Sequence, residues 1–267
     1  MTAKELLDAG RLTAAIEQLT QEVKSHPADG RLRTFLFELL CFAGDYQRAE
    51  RQLEVIGTQS ATTEMGVQVY RNILTAEQLR RRLFSEGLRP TFLFDPPPYT
   101  RLHLEAVNRL RENQPAEAKT LLEESAQSRP PLAGKLDGQA FSEFQDGDEV
   151  LGPCLEVIVQ NRYAWLPFEQ IKTLRISPPK KLRDLLWAQA TVETHTGPVG
   201  EVFLPILYPG SSEHADDQVK LGRMTGWQEV GEGLARGVGQ RVFLMDDEER
   251  GLLEVREVEF AAEASAG

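Results

Sequence analysis

The residue types able to carry chemistry are present in this chain, but not at the spacings chemistry needs. The four histidines, His26, His103, His195 and His214, are scattered, and none has a second His or a Cys at metal-ligand spacing. His214-Ala215-Asp216-Asp217, Asp146-Gly147-Asp148-Glu149 and Asp246-Asp247-Glu248-Glu249 offer oxygens to a hard cation. Calcium loops place those oxygens at set alternating positions that these segments lack, so all three read as polar turns. Gly231-Glu232-Gly233-Leu234-Ala235-Arg236-Gly237 has neither the spacing of a phosphate loop nor a helix after it. Cys154 precedes an apolar run with no His nearby, which reads as a structural thiol, and Ser211-Ser212 lacks the setting of a nucleophilic serine. An enzyme, hydrolytic or transferase, in the second half is the alternative. It requires at least two of Cys154, His195, His214, Asp216 and Asp217 to converge in a deep pocket. Arg80-Arg81-Arg82 is the one basic cluster, and three arginines around a helical turn read as a solvated face.

With 267 residues, two cores can form. The net charge of -11 is unevenly placed: residues 1–130 carry 17 Lys and Arg against 18 Asp and Glu, and residues 131–267 carry 13 against 23. The second half therefore repels nucleic-acid phosphates. Cys41 and Cys154 sit in apolar surroundings, as buried thiols do in a reducing compartment; a disulfide between them is the alternative. The opening Met1-Thr2-Ala3-Lys4-Glu5-Leu6-Leu7-Asp8 carries acids where a signal peptide needs an apolar stretch, and no later run reaches the length of a membrane span. The expectation is a soluble cytoplasmic protein with no cofactor and no membrane or nucleic-acid partner.

The elements that position these residues begin with a repeat. Ala9-Gly10-Arg11-Leu12-Thr13-Ala14-Ala15 returns as Ala43-Gly44-Asp45-Tyr46-Gln47-Arg48-Ala49, with the glycines 34 residues apart, the period of a TPR. A weaker copy, Glu112-Asn113-Gln114-Pro115-Ala116-Glu117-Ala118, puts Asn113 69 residues beyond Gly44. Gly and Asn suit a turn that needs positive φ. After each turn an alanine (Ala15, Ala49, Ala118) allows close helix approach, and a leucine four residues on (Leu19, Leu53, Leu122) fills the space beside it. Pro27 and Pro130 each fall 17 residues after the turn residue, and Ala61 stands there in the second copy. Thr62 to Glu86 reads as one long amphipathic helix, followed by an extended proline-rich connector from Arg89 to Tyr99 and a helix from Tyr99 to Arg111.

After Pro130-Pro131 the pattern becomes one of short strands. Leu155 to Val159 and Tyr163 to Leu166 predict a hairpin turned at Gln160-Asn161-Arg162. Leu186 to Glu193 and Gly200 to Leu204 predict a second, turned at Gly197-Pro198, and Gln240 to Met245 with Leu252 to Phe260 a third across the acidic segment 246–251. Lys180 to Leu186 predicts a short helix. The reading is an α+β chain: a TPR-like α-α superhelix over 1–130, then an acidic β-rich domain over 131–267 built as a small antiparallel barrel or sandwich. Trp165 and Trp187 read as core, Trp227 as core or contact residue, and Arg183 with Asp184 as an internal ion pair or a docking contact.

Six ordered motifs carry a resemblance. Gly152-Pro153-Cys154-Leu155-Glu156-Val157, Trp165-Leu166-Pro167-Phe168-Glu169-Gln170-Ile171, Leu182-Arg183-Asp184-Leu185-Leu186-Trp187, Leu207-Tyr208-Pro209-Gly210-Ser211-Ser212, Leu221-Gly222-Arg223-Met224-Thr225-Gly226-Trp227 and Gly237-Val238-Gly239-Gln240-Arg241 resemble the ImpE family. That family, also called TagJ or SciE, comprises accessory proteins of bacterial type VI secretion. Met224-Thr225-Gly226 departs from its pattern, which has an acidic residue next to the tryptophan. The resemblance implies a non-enzymatic adaptor beside the contractile sheath, whose partners are the N-terminal helix of the small sheath subunit and the ATPase that recycles contracted sheath. A repeat groove suits such a helix. The residues expected to meet a partner are Leu36, Leu40, Tyr46, Tyr70, Arg183, Arg223 and Trp227.

Overall fold

The computed structural model describes residues 1–58 and 61–262, without the side chains of Ala61 and Thr62; residues 263–267 of the acidic half lie outside it. Seven helices form before residue 129: α1 (Ala3–Asp8), α2 (Leu12–Ser25), α3 (Gly30–Phe42), α4 (Tyr46–Gly57), α5 (Ala61–Glu86), α6 (Thr100–Arg111) and α7 (Pro115–Ser128). Their starts follow from capping: Thr2 and Glu5 form a reciprocal capping box on α1, and Asp29 and Asp45 accept from free N–H groups of α3 and α4.

The three repeat turns share one hydrogen-bond pattern. Gly10, Gly44 and Asn113 have φ of 73°, 69° and 59°. The next residue's N–H reaches back five residues in each case, Arg11 to Leu6, Asp45 to Leu40 and Gln114 to Arg109. This is the Schellman closure of a helix, and it needs a left-handed residue at the turn. Ala15, Ala49 and Ala118 are fully buried, with Leu19, Leu53 and Leu122 buried beside them, so small-beside-large packing holds α1/α2, α3/α4 and α6/α7 as antiparallel pairs.

The connector after α5 crosses into the second half. Strand β1 (Thr91–Phe92) pairs in parallel with β6 (Arg162–Pro167), so the helical half contributes an edge to the sheet. The remaining strands are β2 (Gly134–Leu136), β3 (Gln139–Phe141), β4 (Phe144–Asp146), β5 (Cys154–Val159), β7 (Ile171–Ile176), β8 (Trp187–Thr194), β9 (Gly197–Pro205), β10 (Thr225–Gly231), β11 (Leu234–Gly239), β12 (Val242–Met245), β13 (Glu248–Gly251) and β14 (Glu257–Phe260), with a short helix α8 (Asp217–Lys220). Nine of the strands form one mixed sheet in the order β1-β6-β5-β9-β8-β7-β14-β2-β3; β13-β12-β4 and β10-β11 form two smaller sheets. The fold is mixed α+β, but this order is open, and among the described strands the expected closure into a barrel is not seen. Phe141, Phe144, Phe168, Phe243 and Phe260 make a cluster of edge-to-face and tilted rings with centroids 5.0–5.9 Å apart. It joins the three-stranded sheet to the large one.

The first expected hairpin forms as β5 and β6 around Gln160-Asn161. The second pairs as expected, but its turn is His195-Thr196; Gly197 and Pro198 already lie in β9, opposite Thr194 and Glu193. The third differs more. The acidic segment is itself strand β13, paired with β12, and β14 leaves to pair with β7 and β2. Three consecutive charges, Glu248, Glu249 and Arg250, suit an edge strand whose outer side meets water. The expected helix at Lys180 to Leu186 shrinks to a 3₁₀ turn at Leu182–Leu185, held by Asp184 accepting from the N–H groups of Lys180 and Lys181. Cys41 and Cys154 are buried and free, so the disulfide alternative is excluded.

Candidate functional site

The helical half presents α5 to the strand-rich half, and its charges Glu77 and Arg80 meet others while almost wholly buried. Arg80 makes a two-pronged bond to Glu156 on β5, Nε to Oε1 and Nη2 to Oε2 both at 2.7 Å, and Nη2 also donates to the Leu207 carbonyl at 2.8 Å. Arg241 stands on the far side of Glu156 at 3.1 Å and donates to Asp146 at 2.6 and 3.0 Å. Tyr163 donates to Glu156, and the Trp165 indole N–H donates to Tyr163. Glu77, one turn before Arg80 and 3.6 Å from it, accepts from the Trp187 indole at 2.9 Å. Burial raises the Glu156 carboxyl, but Arg80 and Arg241 outweigh it and the net direction is down. Burial pushes Asp146 up to about 6 against the pull of Arg241. The arginine cluster is therefore not a solvated face. Arg80 is buried, Arg81 is half-buried, and only Arg82, paired to Glu86 at 2.8 Å, faces solvent. Periodicity could not reveal this, because Glu156 is 76 residues away.

A second set of contacts joins the halves around α3. Arg183 donates to Glu38 at 3.0 Å and lies over the Tyr70 ring, 4.7 Å from its centroid. Burial raises the Glu38 carboxyl, with Arg183 opposing it. Arg183 and Asp184 are thus not an ion pair with each other: one braces α3, the other caps a turn. Arg223 donates to the carbonyls of Leu7 and Asp8 at the end of α1, and the Thr13 N–H donates to Asp217. His103 on α6, bonded to Ser125 at 2.7 Å, is held down to about 3 by burial.

The residues expected to meet a partner separate accordingly. Leu36 and Leu40 are buried in the core. Tyr46 lies under Arg81, Tyr70 under Arg183, and both arginines, with Arg223, bond within the chain. Trp227 is 43% exposed at the start of the β10-β11 hairpin, its ring against Tyr208. Trp165 and Trp187 are core residues. On the repeat face formed by α3 and α5, Glu38 of α3 and Glu77 and Arg80 of α5 bond to the chain's own second half.

An open apolar groove remains beside that face. Leu7 of α1, Phe35 of α3, and Leu182 and Leu185 of the 3₁₀ turn line a space of about 560 Å³ together with Lys4, Lys180 and Lys181 and the acids Asp8 and Glu38. Sequence reasoning missed it because its two walls lie about 150 residues apart. The residues required by an enzyme do not converge in a deep pocket, although His214, half-buried, accepts from the Asp216 N–H at 3.0 Å. Cys154 is fully buried and its thiol is pushed up by burial, and His195 is exposed beyond β8. Asp216 and Asp217 line a shallow open cleft beside Gly10 and Arg11, where Asp217 pairs with Lys220. Among the described residues there is no cluster of three His, Cys, Asp or Glu side chains suited to a metal, and no helix long and apolar enough to cross a membrane.

Residues 138–259 match the family model described as ImpE protein. The chain is 38% identical over 260 residues to a Pseudomonas aeruginosa protein named type VI secretion system accessory component TagJ, covering 97% of this chain and 91% of that one. Its fold matches the crystal structure of protein VPA1032 from Vibrio parahaemolyticus with a TM-score of 0.90, at 23% identity over 99% of both chains.

Proposed function

The chain belongs to the ImpE family, that of the type VI accessory component TagJ, and from this premise we propose that it is a non-enzymatic cytoplasmic adaptor of the type VI secretion machine. The observation that carries the reading is the 38% identity to TagJ along nearly the whole chain. Its TPR-like half (1–130) and acidic half (131–267) act as one body, and its partners are the N-terminal helix of the small sheath subunit and the sheath-recycling ATPase.

The geometry favours one place for the helix. With the α3 and α5 face bonded to Arg183, Glu156 and Trp187, a peptide cannot lie there without prising the halves apart. The groove of Leu7, Phe35, Leu182 and Leu185 is open, and its three lysines outnumber its two acids, Asp8 and Glu38, the latter already held by Arg183, which suits a helix with an apolar stripe and an acidic flank. Fluorescence anisotropy with a labelled N-terminal peptide of the small sheath subunit tests this. The intact protein binds at micromolar concentrations, and Leu182→Asp or Lys180→Glu with Lys181→Glu weakens binding about tenfold or more. No binding at tens of micromolar, with soluble peptide, defeats the proposal.

A further inference from the structure

Between the two halves, behind the clasp of Arg80, lies a cleft of about 390 Å³ with Arg81, Ser212, Tyr46 and Trp187 in its walls. Arg80, Arg183, Arg236 and Arg241 each hold a carboxylate across or near this junction, with N–O distances of 2.6–3.0 Å. Arg81 has none within 4.0 Å among the described residues. It is nonetheless fixed in place. Its guanidinium lies 4.4 Å from the centroid of the Tyr46 ring, donates from Nη1 to the Gly44 carbonyl at 3.0 Å, and donates from Nη2 to the Ser212 hydroxyl oxygen at 2.9 Å. Gly44 is what permits this approach, since a methyl group there would collide with the guanidinium and the Ser212 side chain.

A guanidinium has five N–H donors, and these two bonds leave three without a protein partner among the described residues. The Ser212 hydroxyl accepts from Arg81 and keeps its own hydrogen to donate. Two neighbouring donor groups, pre-oriented and beside aromatic walls, make the arrangement that binds a planar or tetrahedral oxyanion attached to an apolar body. Glu77 also faces the cleft, but its oxygens are engaged by the Trp187 indole, the Tyr46 hydroxyl and Arg80. Counting Glu77, Glu156, Asp148 and Glu213 against Arg80, Arg81 and Arg236, the junction carries one more negative than positive charge, so directed hydrogen bonds rather than long-range attraction must hold the ligand.

We propose that this cleft is a binding site for a small carboxylate or phosphate bearing an aromatic or aliphatic group, with the oxyanion on Arg81 and Ser212. Such a ligand bridges the two halves and stabilises their junction. The site is independent of the sheath-helix groove, so its test involves no peptide. The experiment uses the full ¹⁵N-labelled protein and three probes: phenylacetate, phenyl phosphate and the neutral phenylacetamide. At least one anion gives saturable shifts of the Trp187 indole N–H and the Gly44 and Ser212 amides with Kd below about 10 mM, and phenylacetamide binds at least about tenfold more weakly. The stronger of the two anions identifies the oxyanion. Arg81→Leu weakens that anion about tenfold or more, and Arg82→Leu, at the solvated neighbour, leaves it unchanged. Absence of saturation by both anions overturns the proposal, as does equal binding of the neutral amide to the unmodified protein, which needs no variant to fold. Undiminished binding by a folded Arg81→Leu overturns it as well.

Discussion

Replacing Arg80 with methionine removes the clasp between the halves while keeping the length of an apolar side chain. The loss comprises two charge-assisted bonds of 2.7 Å to Glu156, one of 2.8 Å to the Leu207 carbonyl, and the 3.6 Å contact with Glu77. Both carboxylates stay behind, with side chains 0% and 5% exposed. Breaking a buried ion pair on one side costs about 3–5 kcal/mol, since the remaining charge keeps its desolvation penalty. Glu156 retains Arg241 at 3.1 Å and the Tyr163 hydroxyl, which places the expected loss near the lower end, about 3 kcal/mol. Adding Glu156→Gln removes the stranded charge, so the double variant recovers part of the loss, with a coupling energy of about 2 kcal/mol. The assay is urea unfolding followed in parallel by circular dichroism of the helices and by fluorescence of the three tryptophans, Trp165, Trp187 and Trp227, all in the second half. In the unmodified protein the two signals change together; in Arg80→Met the midpoint falls and the helical signal separates from the tryptophan signal. A change below about 0.5 kcal/mol, the scale of a surface ion pair, with signals still coincident, refutes the reasoning.

Other expectations concern the turns and the buried histidine. Gly44→Ala forces a left-handed alanine and drives its methyl group into Arg81, so thermal unfolding shows a loss of about 2 kcal/mol or more. Asn113→Gly, at φ 59°, relieves the cost of a left-handed non-glycine residue against the extra freedom of glycine in the unfolded chain, and leaves stability unchanged or raised by up to about 1 kcal/mol in the same assay. His103 is held down to about 3 in the fold and returns to its ordinary value when unfolded. The unfolded chain therefore binds the extra proton first, and stability is fully present above about pH 6.5 and lost as pH falls toward 3, by roughly 4–5 kcal/mol. Urea midpoints between pH 7 and pH 4 check this; a folded His103→Gln showing the same slope assigns the pH dependence elsewhere.

Legibility in the sequence followed the range of the forces involved. The turns at Gly10, Gly44 and Asn113 were readable because positive φ and the small-large pair after it are local requirements, fixed within about ten residues. The β5-β6 hairpin was readable for the same reason. The third hairpin was not, since β14 chooses β7 and β2 through the phenylalanine cluster rather than its nearest neighbour in sequence. The inter-half clasp left a signal that went unused: Glu156 and Arg241 are single charges at inward positions of apolar strand segments, where only a partner makes them tolerable. Leu36 and Leu40 looked suited to a partner because a core face and a binding face have the same composition. The fold buries both side chains in the core.

Hydrogen exchange of the full protein with and without the N-terminal peptide of the small sheath subunit tests the central claim most directly. The account predicts added protection at residues 4–8, around Phe35 and at 180–186, with exchange in α5 and β5 unchanged. Faster exchange along α5 and β5, with protection confined to the inner face of α3, would mean that the halves open to admit the helix, and would contradict it.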